Sequence, residues 1–251
     1  MSSTNVPLSL IPTPGGEPGA DPHDPFVEFA SHMALVHNII IRGFNSMYLQ
    51  APKVKDVDIP DFVRYCDAWY EFTIGHHDSE ERVLFPEIEA ASGVKGIMDE
   101  DVEEHVTFHH GLDDFKAYIS PCLADSSKFS GTEFVKVLDC FASEFHRHMS
   151  NEPLKLLSLS KYSFDMKDIG DRTTQYALKR YSTTDVLPVL WYNLDTKFEN
   201  GLWESFPPLP APVKWSMVNI LGWWRSNWWR FSSCNAQLVE REDLLCLRPD
   251  Y

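Results

Sequence analysis

Residues 76–89 read HHDSEERVLFPEIE: two adjacent histidines, two glutamates four residues after them, then apolar residues and a proline. On a helix, side chains four apart sit one above the other, so His76 pairs with Glu80 and His77 with Glu81. One such pair is ordinarily a solvated helix face. It becomes one quarter of a metal site if other helices present compatible donors at the same depth, so the rest of the chain decides.

Reading outward, 25–159 has helical texture throughout. The first segment, FVEFASHMALVHNIIIRGFNSMYLQ, spaces apolar residues by three and four and stops before Pro52. The second opens at DIPDF, where Asp58 is placed to cap and Pro60 fits the first turn, and runs to Gly93. Gly75 and Pro86 inside it argue against perfect regularity. The third runs from about Met98 to Pro121. The fourth begins at SGTEF, where Ser130 and Glu133 have capping-box spacing. Four long amphipathic helices with short connections predict an all-α, up-down four-helix bundle. Residues 1–24, rich in Pro and Gly, are expected to be a flexible leader. Residues 160–251, proline-rich and dense in tryptophan, are expected to form a less regular extension packing on or covering the bundle.

Composition narrows the function. The chain has 251 residues, 43% hydrophobic and 13% aromatic, enough for a sizeable core, and a formal net charge of −15. An acidic chain without a basic stripe argues against nucleic acid as a partner. Five scattered cysteines without a CxxC pair make a poor disulfide or zinc-thiolate framework. No signal-like N-terminus and no run of about eighteen apolar residues is visible, so a cytoplasmic protein is expected. The number of subunits is left open.

All ten histidines lie between His23 and His148, a segregation that surface chemistry does not explain. Each helix offers a donor. His37 shares a stripe with Ala34, Ile41 and Phe44; His77 and Glu81 continue inward positions of the second helix; His105 and His109 are one turn apart; His148 and Glu152 line up with Phe141, Phe145 and Leu156. The helix phase leaves His76 with Glu80 as an alternative to His77 with Glu81, and His110 beside His109. His23 and His32 read as ordinary residues, and His146 as exposed. Five imidazoles and two carboxylates suit a pair of iron ions. Each carboxylate can bridge both ions, an oxo or hydroxo group can make a third bridge, and one position stays open. Manganese or a mixed pair suits the same donors, whereas closed zinc sites prefer four ligands or thiolates.

The pieces VHNIIIRGFN, HHDSEERVLFP, EHVTFHHGLDDF and HRHMSNE, in this order and at these intervals, resemble the hemerythrin-like, or HHE cation-binding, family over about 25–159. The likeness is greatest to fungal-type members with a C-terminal extension. The resemblance implies a metal set of His37, His77, Glu81, His105, His109, His148 and Glu152. His105, His109 and His148 would hold one iron, His37 and His77 the iron with the open position, and Glu81 and Glu152 would bridge. The phase of the VLF run favours His77, Glu81 and Phe85 for the second helix. Glu152 departs from the oxygen carriers' pattern, in which an aspartate follows its histidine by five residues. Pro153 directly after it puts its placement in question, because proline removes a helical hydrogen bond.

The resemblance implies dioxygen as a partner, and leaves reversible oxygen binding, iron or oxygen sensing, and oxidation of a small organic substrate as alternatives. The extension favours oxidation. Between Val213 and Phe231 it carries Trp215, Trp223, Trp224, Trp228 and Trp229 with three cations and no acid. That stretch could form an aromatic lid over the open position, admitting a hydrophobic or aromatic substrate. A membrane-surface helix over 213–231 is a less favoured reading, and extra core packing is the plainest one.

Overall fold

The computed structural model describes residues 7–251, and its architecture follows from where the apolar stripes meet. Helix α1 (Pro25–Gln50) starts at Asp24, whose carboxylate accepts from the amides of Phe26 and Val27. Helix α2 (Ile59–Ser79) runs into a π-helical turn, Glu80–Leu84, and then α3 (Phe85–Ser92), which stops at Gly93 in the left-handed conformation. Helix α4 spans Asp99–Ala124. The fourth leg is interrupted at Cys140 and Phe141, giving α5 (Gly131–Asp139) and α6 (Ala142–Ser158). The Ser130 hydroxyl caps α5 by accepting from the Glu133 amide. The Asp58 carboxylate does not cap α2, because Arg230 and the Tyr251 hydroxyl occupy it.

The four legs close on an aromatic core that includes Phe44, Phe62, Trp69, Phe108, Phe115, Phe134 and Phe145. Burying side chains of this size supplies most of the bundle's driving force, at roughly 25 cal/mol per Å² of apolar surface. The chain is an all-α, four-helix bundle. No described helix is long and apolar enough to cross a membrane, and all five cysteines are free.

The leader is better ordered than its composition suggests. From Pro7 onward it straps along α1, with the Asn45 side chain pairing with both backbone groups of Leu8 and the Asn38 side chain doing the same for Ile11. Two asparagines about two turns apart on one face of α1 thus satisfy an extended backbone that would otherwise need water. Residues 1–6 of the expected leader lie outside the described residues.

The extension begins with α7 (Met166–Arg180), which lies across α1, α2 and the π turn. Short helices α8 (Pro188–Tyr192), α9 (Ala211–Ser216) and α10 (Ser226–Trp229) follow. The extension is tied to the leader by Glu199, which accepts from the amide and hydroxyl of Thr13. It is tied to the bundle by the Phe231 carbonyl, which accepts from Ser46 and Gln50.

Candidate metal centre

The local event that builds the site is the π turn. Pro86 has no N–H, and its ring opposes the carbonyl four residues back, so a regular helix is strained just ahead of it. The chain widens there instead: the Phe85 amide donates to the Glu80 carbonyl, five residues back rather than four. One extra residue is absorbed, so Phe85 and Ile88 fall in line with Glu80 and not with Glu81. Glu80 is fully buried, whereas the side chain of Glu81 is 39% exposed. His76 and His77, in the last regular turn of α2, are both buried as well.

Around Glu80 the other legs deliver their donors. His37 from α1, His105 from α4, and His148 and Glu152 from α6 are all fully buried. Glu80 Oε1 is 3.0 Å from His76 Nε2, and its Oε2 is 3.6 Å from His105 Nε2. Glu152 Oε2 is 3.2 Å from His37 Nε2 and 3.7 Å from His148 Nε2. Each carboxylate therefore faces two imidazoles that belong to different groups: His37 and His76 on one side, His105 and His148 on the other. His77 completes the second group, with a ligand atom within 4.8 Å of those of Glu80, His105 and His148.

The donor chemistry fits a cation. His105 Nδ1 lies 2.8 Å from Glu81 Oε1 and His148 Nδ1 lies 3.3 Å from Glu104 Oε2. Each ring thus gives its proton to a carboxylate on its outer side and keeps Nε2 bare. Those two bare nitrogens face each other at 3.1 Å, a repulsive meeting of lone pairs unless a cation lies between them. Two nitrogens each about 2.1 Å from one metal, at right angles, would be about 3 Å apart. Both oxygens of Glu80, both oxygens of Glu152, both nitrogens of His77, and Nε2 of His37 and of His76 are buried without a hydrogen bond. Orphan polar atoms at this density are costly in an apolar interior and point to an ion as their partner.

Burial also sets the protonation. It pushes the carboxyls of Glu80 and Glu152 up to about 8 and the imidazole of His76 down to about 3. His77 and His148 are held well below the usual histidine range by burial, with neighbouring imidazoles adding to the effect. His37 is lowered by burial too, against an opposing pull from Glu152. Neutral imidazoles keep their lone pairs for a metal, while the two carboxyls must shed protons to bind one.

The structure brings some of the expected ligands together and sets others apart. His37, His77, His105, His148 and Glu152 fall in the inner group. Glu81 does not: it supports His105 from outside, because the π turn rotates the downstream chain by one residue. His109 is half-buried beside Glu81 and His105, at the rim. His76 takes the fifth inner imidazole position instead. Pro153 leaves Glu152 in the core, since α6 continues through it. His110 is exposed, and His146 is half-buried, with Nε2 2.8 Å from the Ser9 carbonyl of the leader strap. His32 packs against Trp203 and Phe206. Glu104, outside the expected set, is buried and orients His148.

The tryptophan-rich stretch does not cover the centre. Trp229 packs on Tyr65 and Tyr192, and α10 meets the first half of α2. Tyr65 is eleven residues before His76, or roughly 16 Å along the helix axis. The cover is α7 and the residue after it. Tyr181 stacks on Phe72, donates to the Phe72 carbonyl at 3.0 Å, and presses on Gly75, where a Cβ would overlap its ring. Gly75 therefore sits mid-helix because only hydrogen fits beneath that ring.

A buried set of imidazoles and carboxylates from all four legs of a helical bundle defines a metal-binding bundle protein. The hemerythrin HHE cation-binding domain model matches residues 29–159. The chain is also 34% identical over 254 residues, covering 94% of each protein, to the "dimeric xanthone biosynthesis cluster protein R11" of Cryptosporiopsis sp. (strain 8999). No solved structure matches the chain. The chain belongs to the hemerythrin HHE cation-binding family, and at 94% coverage its likeness to the fungal relative runs on through the extension.

Proposed function

We propose that the centre holds two iron ions and that the protein is a non-haem di-iron oxidoreductase acting with dioxygen on a small aromatic substrate. The observation that carries the binuclear reading is the pair of buried carboxylates, Glu80 and Glu152, each facing one imidazole from each of two groups. His37 and His76 would hold one ion and His77, His105 and His148 the other. Nitrogen and carboxylate donors without thiolate favour iron or manganese over a closed zinc site. Bound iron would supply the electrons for dioxygen reduction. The chain's own part is to keep the ligand nitrogens bare through Glu81 and Glu104, to exclude water by burial, and to leave Glu81 and His109 as the edge nearest solvent. The fungal relative's name places that protein in a dimeric xanthone biosynthesis cluster; xanthones are aromatic, and that likeness is what supports proposing an aromatic substrate for this chain.

A second reading, reversible binding or sensing of dioxygen without catalysis, is favoured by the burial itself, since a diatomic gas needs no opening of the bundle. One experiment separates the two. The protein is loaded anaerobically with ferrous iron, the iron is counted, and oxygen is admitted and then removed by argon while the visible spectrum is followed. Two irons that oxidise irreversibly support the oxidoreductase. A band that reverses on sparging supports the carrier or sensor, and a protein that takes up no metal overturns both.

A further inference from the structure

We infer that Pro153 is a positioning residue: by withholding its N–H it releases the Met149 carbonyl to hold His37 in the tautomer that can bind metal. In a regular helix the carbonyl of residue 149 would accept from the amide of residue 153, along the helix axis. Proline has no amide proton, and its ring pushes that carbonyl outward from the helix. Helix α6 continues through Pro153, to Ser158. The orphaned carbonyl therefore needs a partner in a fully buried place, and His37 of α1 provides one, with Nδ1 2.7 Å from Met149 O.

A carbonyl is only an acceptor, so the proton lies on Nδ1 and Nε2 is left bare. That bare Nε2 is the atom 3.2 Å from Glu152 Oε2. The other two oriented rings, His105 and His148, are fixed by carboxylates, but among the described residues no acid reaches His37 Nδ1. A backbone carbonyl does the same work without adding a negative charge next to Glu152. The residue that seemed to endanger Glu152 thus organises the ligand opposite it.

This inference rests on the proposed metal-binding function for its consequence but not for its geometry, and the test separates them. Full-length protein labelled with ¹⁵N-histidine is prepared metal-free as wild type, Pro153→Ala and Pro153→Val; both substitutions restore the amide, and valine keeps most of the buried volume. His37 is assigned from the signal lost in His37→Gln. Wild type should show His37 protonated on Nδ1, with both variants shifting it toward a mixture or toward Nε2–H. Ferrous titration should then show one of the two metals bound about 10- to 100-fold more weakly in both variants. A wild-type His37 carrying its proton on Nε2 overturns the inference, as do variants that keep the Nδ1 tautomer and both affinities. A wild type that takes up no iron but whose tautomer still depends on Pro153 supports the positioning role and sinks the metal reading instead.

Discussion

At the residue scale, Glu80 and Glu81 are a natural contrast, adjacent in sequence and different in fate. Glu80→Ala removes an oxygen from each of the two imidazole groups and should cut the metal content from two ions to one or none, measured by elemental analysis. Glu81→Ala leaves the inner donors intact and only releases the proton-bearing side of His105, so two ions should still bind, about 10- to 100-fold more weakly. Protonation gives a second expectation. The folded-state values of about 8 for Glu80 and Glu152 lie above the ordinary 4.5. Their contribution to the metal-free fold is therefore fully present below about pH 4.5 and is lost as pH rises towards 8. Above pH 7, where unfolded histidines are already mostly neutral, metal-free protein should become less stable up to about pH 8, seen by denaturant titration. Metal loading near pH 7 should in turn release about two protons per chain, measurable with an indicator dye in weak buffer. Legibility also differed residue by residue. His37, His105, His148 and Glu152 were readable because they lie on regular α-helical stripes. Glu80 stands in the sequence only as the alternative to Glu81, because a spacing argument assumes a period of 3.6 and Pro86 locally breaks it.

At the scale of elements, the bundle was legible and its cover was not. Apolar spacing and the signals at Pro60, Ser130 and Gly93 located all four legs, because helix ends are local chemistry. The strap formed by the leader depends on Asn38 and Asn45 meeting Leu8 and Ile11, pairings between segments about thirty residues apart that no local pattern encodes. The placement of α7 over the π turn is of the same kind, and its one trace in the sequence is Gly75. Glycine in mid-helix ordinarily costs up to about 1 kcal/mol relative to alanine. Gly75→Ala should nevertheless destabilise the protein, by about 1–3 kcal/mol, because the added methyl displaces the Tyr181 ring and its bond to the Phe72 carbonyl. Urea titration gives the sign directly: a gain in stability would mean that Tyr181 moves aside freely and that α7 is a loose cover.

At the scale of the whole molecule, the extension divides into a part that serves the centre and a part that faces away from it. Helix α7 closes one end of the bundle, while the stretch from α9 to α10 is anchored at the other, through Arg230 to Asp58 and Asp61 and through Trp229 to Tyr65. A second π turn, Met217–Leu221, joins α9 to a 3₁₀ turn, Gly222–Arg225. Trp215, Ile220 and Trp224 stay exposed, while Val218 and Gly222 are buried, with the Tyr192 hydroxyl donating to the Val218 carbonyl and its ring lying against Gly222. Trp215, Trp223 and Trp224 are 60%, 70% and 64% exposed. Side chains so open contribute little to stability, and substitutions there typically change it by less than about 0.5 kcal/mol. Trp223→Ser with Trp224→Ser should therefore leave the metal content, the melting temperature and the rate of oxidation by dioxygen unchanged, followed by stopped-flow on the ferrous-loaded protein. Faster oxidation in the double variant would mean that these rings do shield the centre, and would return the tryptophans to the role of a lid. An unchanged rate, set beside a Tyr181→Ala variant that oxidises faster, would assign the gate to Tyr181 at the end of α7 and not to the tryptophans.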